Sequence, residues 1–326
     1  MSGHAHDRWM ARAVALGEAV RGTTAPNPNV GCVIVRDGEI VGEGATQPGG
    51  RPHAEAVALE QAGKKAKGAT LYTTLEPCAH DSGRGPTCAR IIPEAGVAAV
   101  VAAVTDPDTR TAGKGLAILR EAGVEVETGI GAAEASASLE GFLMRMHRRR
   151  PFVTLKLALS IDGKIALPSG ESKWITGEDA RAHVHYLRSQ SDMILVGRGT
   201  LEADKPSLDV RLPGLEERSP RRALLTRGNG AEGWEVFNDP ADIHRLDDVN
   251  DLLVEGGSGA ATAFLKADLV DRILIYRAPI LIGEGKSSVG YIGLDSIADA
   301  HGRWRAGPAR VLGIDRLEVY ERVREE

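Results

Sequence analysis

Short apolar runs rich in β-branched residues alternate with amphipathic segments along the whole chain. Apolar residues at helical spacing indicate amphipathic helices, and short apolar runs between turn residues indicate buried strands. In the first half, this reading predicts strands at 30–35, 40–41, 70–74, 97–104 and 124–127, and helices at 8–21, 53–62 and 115–122. Strands that alternate with helices are typical of α/β domains, in which helices cover the faces of a sheet.

The second half repeats the alternation without repeating the sequence. We expect strands at 152–159, 193–196, 252–255 and 273–276, and helices at 178–190 and 260–266. Thr176 and Asp179 have the spacing of a capping box at the start of the helix at 178–190. With 326 residues and about 150 residues per domain, the chain should form two domains, 1–149 and 150–326. The basic run 148–150 is interpreted as a solvated linker.

Composition excludes several classes of protein. Asp and Glu total 45 against 40 Lys and Arg, and aromatic residues make up only 4%, so a nucleic-acid partner is not expected. No apolar run approaches the roughly 20 residues that span a bilayer, and the N-terminus lacks an apolar signal core. We therefore expect a cytoplasmic protein with no membrane partner. Three cysteines, Cys32, Cys78 and Cys88, are too few for a disulfide framework and should be thiols, metal ligands or a nucleophile.

Chemistry-bearing residues cluster in the first half as His53-Ala-Glu55, Pro77-Cys78 and Cys88. Together they resemble the signature of zinc-dependent nucleoside and nucleobase deaminases. One imidazole and two thiolates fill three positions around a tetrahedral zinc and leave the fourth for water, whose pKa falls towards about 7. Glu55, two residues after a ligand at a helix start, suits the proton shuttle that hydrolytic deamination requires.

A purely structural zinc site is the alternative at these cysteines. Such a site needs a fourth protein ligand, and His80 is the candidate. Only one residue separates His80 from Cys78, which is too close for easy tetrahedral geometry.

Eight motifs, in order over nearly the whole chain, resemble the family of bifunctional riboflavin-biosynthesis deaminases/reductases. They are Pro26-Asn-Pro-Asn-Val-Gly-Cys-Val-Ile-Val35, Pro52-His-Ala-Glu55, Thr74-Leu-Glu-Pro-Cys-Ala-His80, Gly85-Pro-Thr-Cys88, Leu155-Lys-Leu-Ala158, Ser160-Ile-Asp-Gly-Lys164, Gly170-Glu-Ser-Lys-Trp-Ile-Thr176 and Val254-Glu-Gly-Gly257. The resemblance implies a cytidine-deaminase-like α/β/α domain followed by a dihydrofolate-reductase-like α/β domain. It also implies the substrate 2,5-diamino-6-(5-phosphoribosylamino)pyrimidin-4-one, which the first domain would deaminate. The second domain would then reduce the ribose C1′ with NADPH.

For the first domain, the resemblance assigns zinc to His53, Cys78 and Cys88 and the proton shuttle to Glu55. It places Asn27 and His80 in the pocket for the pyrimidine and the ribose phosphate. An asparagine between two prolines also suits a turn, so turn chemistry is the alternative for Asn27. The nine residues between Cys78 and Cys88 are one more than the family leads us to expect.

The second half has two glycine-rich turns, 197–199 and 256–259, each after a predicted strand. Such turns let backbone N–H groups approach phosphates, and two of them favour a nucleotide cleft. No Gly-x-Gly-x-x-Gly follows a strand, so a Rossmann domain is not indicated. Lys156, Asp204 and Glu255 are polar candidates near strand ends.

The resemblance divides the residues of the second half into two groups. Residues expected at the substrate are Ser172, Arg188, Leu208, Arg211 and Glu255. The strand-end candidate Lys156 is placed with them. Those expected at NADPH are Ala158, Trp174, Thr200, Asp204, Arg227, Gly257, Ser258 and Gly259. A guanidinium matches phosphate oxygens, so we expect Arg188 and Arg211 to hold the substrate phosphate; surface ion pairs are the alternative. Arg227 could equally be a surface loop arginine, and the segment 227–251 is shorter than expected for the family.

Two other functional classes remain as alternatives. A nucleic-acid-editing deaminase would share the zinc motif but would want a basic face, and it would leave residues 151–326 unexplained. A non-catalytic, metal-stabilised scaffold would not need the complete set of His53, Glu55, Cys78 and Cys88. We also expect the protein to form a homo-oligomer.

Overall fold

The computed structural model describes residues 3–80, 83 and 85–324, with side chains described from residue 6 onwards. The chain forms two compact units, Met1–Arg149 and Arg150–Glu326. The described residues contain no helix that is long and apolar enough to cross a membrane.

The first unit contains six α-helices and five strands in its described part. The helices are α1 (Gly3–Ala19), α2 (Ala54–Ala62), α3 (Cys88–Glu94), α4 (Lys114–Glu121), α5 (Ala132–Ser138) and α6 (Glu140–Arg148). The strands are β1 (Gly31–Arg36), β2 (Glu39–Ala45), β3 (Thr70–Leu75), β4 (Ala99–Val104) and β5 (Glu125–Thr128).

The five strands form one sheet in the order β2-β1-β3-β4-β5. β1 is antiparallel to β2 and β3, whereas β3, β4 and β5 are parallel. Side chains alternate between the two faces: Cys32 and Ile34 join the core under α2, and Val33 joins the core with Trp9 and Met10 of α1. The unit therefore has the expected α/β/α layers, with α2 and α3 on the face that carries the cysteines.

The second unit contains three α-helices and eleven strands in its described part. The helices are α7 (Glu178–Ser189), α8 (Arg198–Asp204) and α9 (Ser258–Lys266). The strands are β6 (Phe152–Leu159), β7 (Lys164–Ala166), β8 (Met193–Gly197), β9 (Arg221–Leu225), β10 (Glu235–Phe237), β11 (Asp251–Val254), β12 (Arg272–Arg277), β13 (Lys286–Ser287), β14 (Trp304–Ala306), β15 (Arg310–Leu312) and β16 (Asp315–Arg322).

The main sheet has the order β10-β9-β8-β11-β6-β12-β16-β14, with β15 paired to β16. Along this sheet order, each neighbouring pair from β10 through to β12 is parallel, whereas β16 is antiparallel to β12, β14 and β15. Along β6, Leu155 and Leu157 pack in the core with Phe264 of α9, so the alternate residues Lys156 and Ala158 lie on the opposite face. In open parallel sheets, ligands bind beyond the carboxyl ends of the strands. The turns that follow β8 and β11 both lie at that edge.

The α/β expectation is confirmed in both halves, but the local prediction at the start of α7 is wrong in one respect. α7 begins at Glu178 as expected, yet its N-cap is Gly177, with no side-chain cap. The backbone N–H of Gly177 instead donates to Asp315 Oδ2 at 2.7 Å. A carboxylate 138 residues away therefore takes the place of the expected capping box.

Candidate active sites

Three elements bring His53, Cys78 and Cys88 together. His53 is the N-cap of α2, Cys78 follows β3, and Cys88 is the first residue of α3. His53 Nδ1 lies 3.4 Å from each sulfur, and the three possible ligand atoms all lie within 4.8 Å of one another. A tetrahedral zinc with ordinary bond lengths places nitrogen and sulfur ligands roughly 3.6 Å apart. The cluster therefore fits a zinc ion.

Hydrogen bonds within the cluster favour a thiolate at one cysteine. The Cys88 thiol lowers the pKa of Cys78, and the same hydrogen bond raises the pKa of Cys88. The Cys88 backbone N–H also donates to Cys78 Sγ at 3.3 Å. The hydrogen bond with Cys78 raises the pKa of His53, against the effect of burial. An imidazole beside a thiolate is the donor set that zinc prefers.

Glu55 lies in the first turn of α2 and is only 3% exposed. Its Oε2 accepts a hydrogen bond from Cys88 Sγ at 3.4 Å. Burial raises the pKa of Glu55 above its ordinary value, against the charge of His53. Glu55 is thus a buried carboxyl group in contact with a candidate metal ligand.

Glu76 belongs to the Leu-Glu-Pro-Cys motif, but sequence reasoning gave it no role. It is buried at the end of β3, and its carboxylate accepts backbone hydrogen bonds on both sides of the loop at 105–113. The donors are the N–H groups of Asp106 (3.2 Å), Gly113 (2.9 Å), Gly115 (2.9 Å) and Leu116 (3.3 Å). Glu76 thereby ties the start of α4 to the strand that leads to Cys78.

Asn27 and His80, the two residues predicted for the deaminase pocket, are held by loops. Asn27 Nδ2 makes long hydrogen bonds to the carbonyls of Thr24 (3.4 Å) and Gly49 (3.5 Å). Gly50, at φ +90°, packs so closely that an added Cβ would lie 1.9 Å from Asn27 Nδ2. His80 Nδ1 lies 3.1 Å from Thr111 Oγ1. His80 is not part of the His53, Cys78 and Cys88 cluster.

In the second unit, Lys156, Arg188 and Glu255 form a charged cluster at the point where strand β11 ends. Arg188 donates from Nε to Glu255 Oε1 at 2.7 Å and from Nη2 to Oε2 at 3.0 Å, while Lys156 Nζ lies 3.7 Å from Oε2. Burial alone would raise the pKa of Glu255, but the charges of Lys156 and Arg188 hold it below its ordinary value. Burial lowers the pKa of Lys156, against the charge of Glu255. Two cations thus share one buried carboxylate.

The loop after α8 brings Leu208 and Arg211 towards this cluster through Asp209. Arg188 Nη1 donates to the Asp209 carbonyl at 3.0 Å, and the neighbouring Leu208 is buried at φ +57°. Arg211 is different: its side chain is 62% exposed and pairs with Asp209 Oδ1 at 3.0 Å and Ser207 Oγ at 2.6 Å. Arg211 therefore makes a surface ion pair here, which is the alternative to phosphate binding given for it in the sequence.

Several residues expected at the cofactor lie where α8 and α9 begin. Gly257 N–H donates to Thr200 Oγ1 at 3.0 Å, which joins the turns after β8 and β11. Ser258 opens α9, and an added Cβ at Gly259 would meet no described atom within 4 Å. Gly259 is therefore open to solvent.

The other residues predicted for this unit lie in three further places. Asp204 forms an ion pair with Lys173 at 3.5 Å. Trp174, which follows Lys173 in the chain, is 70% exposed, and the Arg181 guanidinium lies over its ring, 4.8 Å from the ring centroid. Ser172 immediately precedes Lys173 and is half-buried. Ala158 lies opposite Tyr276 in the β6–β12 register, and Arg227 is exposed after β9.

Both units match known families. Residues 4–104 match the cytidine and deoxycytidylate deaminase zinc-binding region, and residues 151–242 and 241–310 match the RibD C-terminal domain. The chain is 40% identical to the riboflavin biosynthesis protein RibD of Haemophilus influenzae, over 94% of this chain and 95% of that protein. It is 41% identical to RibD of Escherichia coli, over 90% and 93% of the two chains.

Solved structures of the same kind superimpose over nearly the whole chain. Acinetobacter baumannii RibD has a TM-score of 0.90 at 35% identity, with 99% of this chain and 100% of that chain covered. A diaminohydroxyphosphoribosylaminopyrimidine deaminase/5-amino-6-(5-phosphoribosylamino)uracil reductase from Thermotoga maritima has a TM-score of 0.90 at 31% identity, with the same coverage. The chain therefore belongs to the RibD family of bifunctional deaminases and reductases of riboflavin biosynthesis.

Proposed function

We propose that the two units carry out consecutive steps on one phosphoribosylaminopyrimidine. The first unit hydrolyses the 2-amino group of 2,5-diamino-6-(5-phosphoribosylamino)pyrimidin-4-one to give 5-amino-6-(5-phosphoribosylamino)uracil. The second unit reduces the ribosyl group of that product to ribityl with NADPH. The observation that carries the proposal is the cluster of His53, Cys78 and Cys88 with the buried Glu55 against it. The name of the Thermotoga maritima protein, which states both reactions, supports the substrate.

In deamination, His53, Cys78 and Cys88 would hold zinc, which supplies a water of lowered pKa when bound. Glu55 would accept a proton from the attacking water and would pass protons to the ring nitrogen and to the departing ammonia. Burial raises the pKa of Glu55, so this carboxyl group holds a proton more readily than an ordinary one does. Asn27 and His80 bind the pyrimidine and its ribose phosphate.

In reduction, NADPH supplies the hydride when bound. The segment Gly257–Gly259, which is hydrogen-bonded to Thr200, holds the cofactor. The other residues that contact it are Ala158, Trp174, Asp204 and Arg227. Lys156 and Glu255 bind the sugar, and Lys156 is the proton source because burial makes its proton easier to lose. Arg188 holds Glu255 in place through its two-point contact.

We further propose a cytoplasmic homo-oligomer. Three free thiols, two of them in the candidate metal centre, are typical of a reducing compartment. Large exposed apolar side chains in the second unit, among them Leu281, Ile297, Val311 and Ile314, favour burial against another copy of the chain. Sedimentation velocity would test this assembly, and a single monomeric species at micromolar concentration would contradict it.

Selective removal of zinc tests the proposed division of labour. We expect a chelator to abolish deamination of the diaminopyrimidine, while NADPH oxidation with the deaminated uracil continues. Added zinc should restore deamination. Loss of both activities on chelation, with the fold of the second unit intact by circular dichroism, would contradict the assignment.

A further inference from the structure

The imidazole of His80 is fixed by a side chain from a distant loop. Its Nδ1 lies 3.1 Å from Oγ1 of Thr111, which is fully buried. Within the described residues, Nε2 makes no hydrogen bond. The protein therefore holds the ring through one of its two nitrogens. We propose that Thr111 is a positioning residue for deamination, which presents His80 to the substrate in a single orientation.

The loop that carries Thr111 is itself anchored on both sides. Before Thr111, the backbone N–H of Asp106 donates to the buried Glu76 carboxylate, and after it Gly113 N–H does the same. Within the loop, Thr111 N–H donates to the Asp108 carbonyl at 2.8 Å. A carboxylate that accepts several backbone hydrogen bonds fixes the segments that donate them. Thr111 Oγ1 consequently has little freedom to move relative to β3.

This inference rests on the proposed role of His80 in the deaminase pocket. A free imidazole must lose rotational freedom when substrate binds, and that loss weakens binding. A ring already held in place avoids this loss. Thr111 should therefore affect the KM of deamination more than kcat, because it touches neither the candidate metal ligands nor Glu55.

Three variants of the full-length, zinc-loaded enzyme test the role of the hydroxyl. Thr111→Val keeps the side-chain shape but removes the hydrogen bond, and we expect the KM for the diaminopyrimidine to rise about fivefold, with kcat changed less than twofold. Thr111→Ser keeps the hydroxyl and should restore KM. Thr109→Val makes the same change at an exposed position of the same loop and should leave KM unchanged. Zinc content and reduction of the uracil should be normal in all three variants.

A double-mutant cycle with His80→Ala then identifies the route of the effect. If Thr111 acts through His80, the double variant will have the same KM as His80→Ala alone. A raised KM in His80→Ala with a normal KM in Thr111→Val would overturn the inference and leave the proposed role of His80 intact. A normal KM in His80→Ala would overturn both. Additive effects, or failure of Thr111→Ser to restore KM, would show that Thr111 acts only on the packing of the loop.

Discussion

Arg188 and Glu255 form a two-point ion pair at the edge of the reductase sheet, with Nε–Oε1 at 2.7 Å and Nη2–Oε2 at 3.0 Å. Both side chains are largely buried, and Arg188 Nη1 donates a hydrogen bond to the Asp209 carbonyl. Three of the five guanidinium N–H donors are engaged in this way. We propose that they orient Glu255, and the expected contact of Arg188 with the substrate phosphate stays a prediction. In this proposal, Arg188 orients Glu255, and Glu255 and Lys156 bind the sugar.

We therefore predict that Arg188→Lys lowers kcat/KM for reduction by about 10- to 100-fold, since lysine cannot make the two-point contact. Deamination should be unchanged. Arg221 and Asp248 offer a matched control, because they form a two-point pair of similar length on the exposed surface of the same unit. Arg221→Lys should leave reduction unchanged. Equal effects of the two substitutions on reduction would show that the buried pair has no special role.

Zinc should be bound at one ion per chain by His53, Cys78 and Cys88. Replacement of any one of them by Ala leaves two protein ligands, so we expect substoichiometric zinc by elemental analysis and no deamination. Cys32 is the control: it is buried in β1 on the same face of the sheet but lies outside the ligand cluster. Cys32→Ala should retain full zinc content. Freshly purified, active protein without zinc would contradict the assignment.

Glu55→Gln should separate the two activities. The substitution keeps the shape of the side chain but removes the group that accepts the proton, so deamination should fall by about 10²- to 10⁴-fold. Zinc content should stay normal because Glu55 is assigned no ligand role, and reduction of the uracil should continue. Glu60→Gln, at an exposed position of the same helix, is the matched control. Parallel loss of deamination and reduction would indicate a folding defect instead.

Reduction should lose activity on the alkaline side earlier than an ordinary lysine would allow. Burial lowers the pKa of Lys156 from 10.5, so Lys156 gives up its proton at a lower pH, and the proton source is lost as pH rises through that lowered pKa. The pH profile of kcat at saturating NADPH checks this. Lys156→Arg keeps its charge over the whole range and should remove the alkaline inflection, at the cost of a lower rate. A wild-type profile that stays flat up to pH 10.5 would contradict the role of Lys156.

Arg211→Lys distinguishes phosphate recognition from a surface ion pair. If Arg211 exchanges Asp209 for the substrate phosphate, its replacement should raise KM for the phosphorylated uracil by up to about tenfold. The KM for the dephosphorylated analogue should stay the same. Because Arg211 is exposed and already paired, an unchanged KM for both compounds would assign it to the surface.

Much of the deaminase centre was predictable because its signal is local. His53 and Glu55 lie two residues apart at a helix start, and the residue types of the cluster name the metal chemistry directly. The strands that hold the cluster were also predictable, since β1 and β3 are short runs rich in β-branched residues that are buried almost throughout. Edge strands such as β14 and β15 gave no such signal, because their residues are mostly exposed.

Contacts between residues far apart in the chain could not be predicted from local patterns. The α/β class, the candidate zinc ligands and the candidate shuttle carboxylate could be predicted, because they depend on residue type and on spacing over a few positions. The sequence did not indicate that Thr111 meets His80, or that Arg188 meets Glu255 67 residues away. Likewise, β11 lies between β8 and β6, which brings Glu255 beside the strand that carries Lys156. Strand order depends on the packing of whole elements, and periodicity along a single segment carries no record of it.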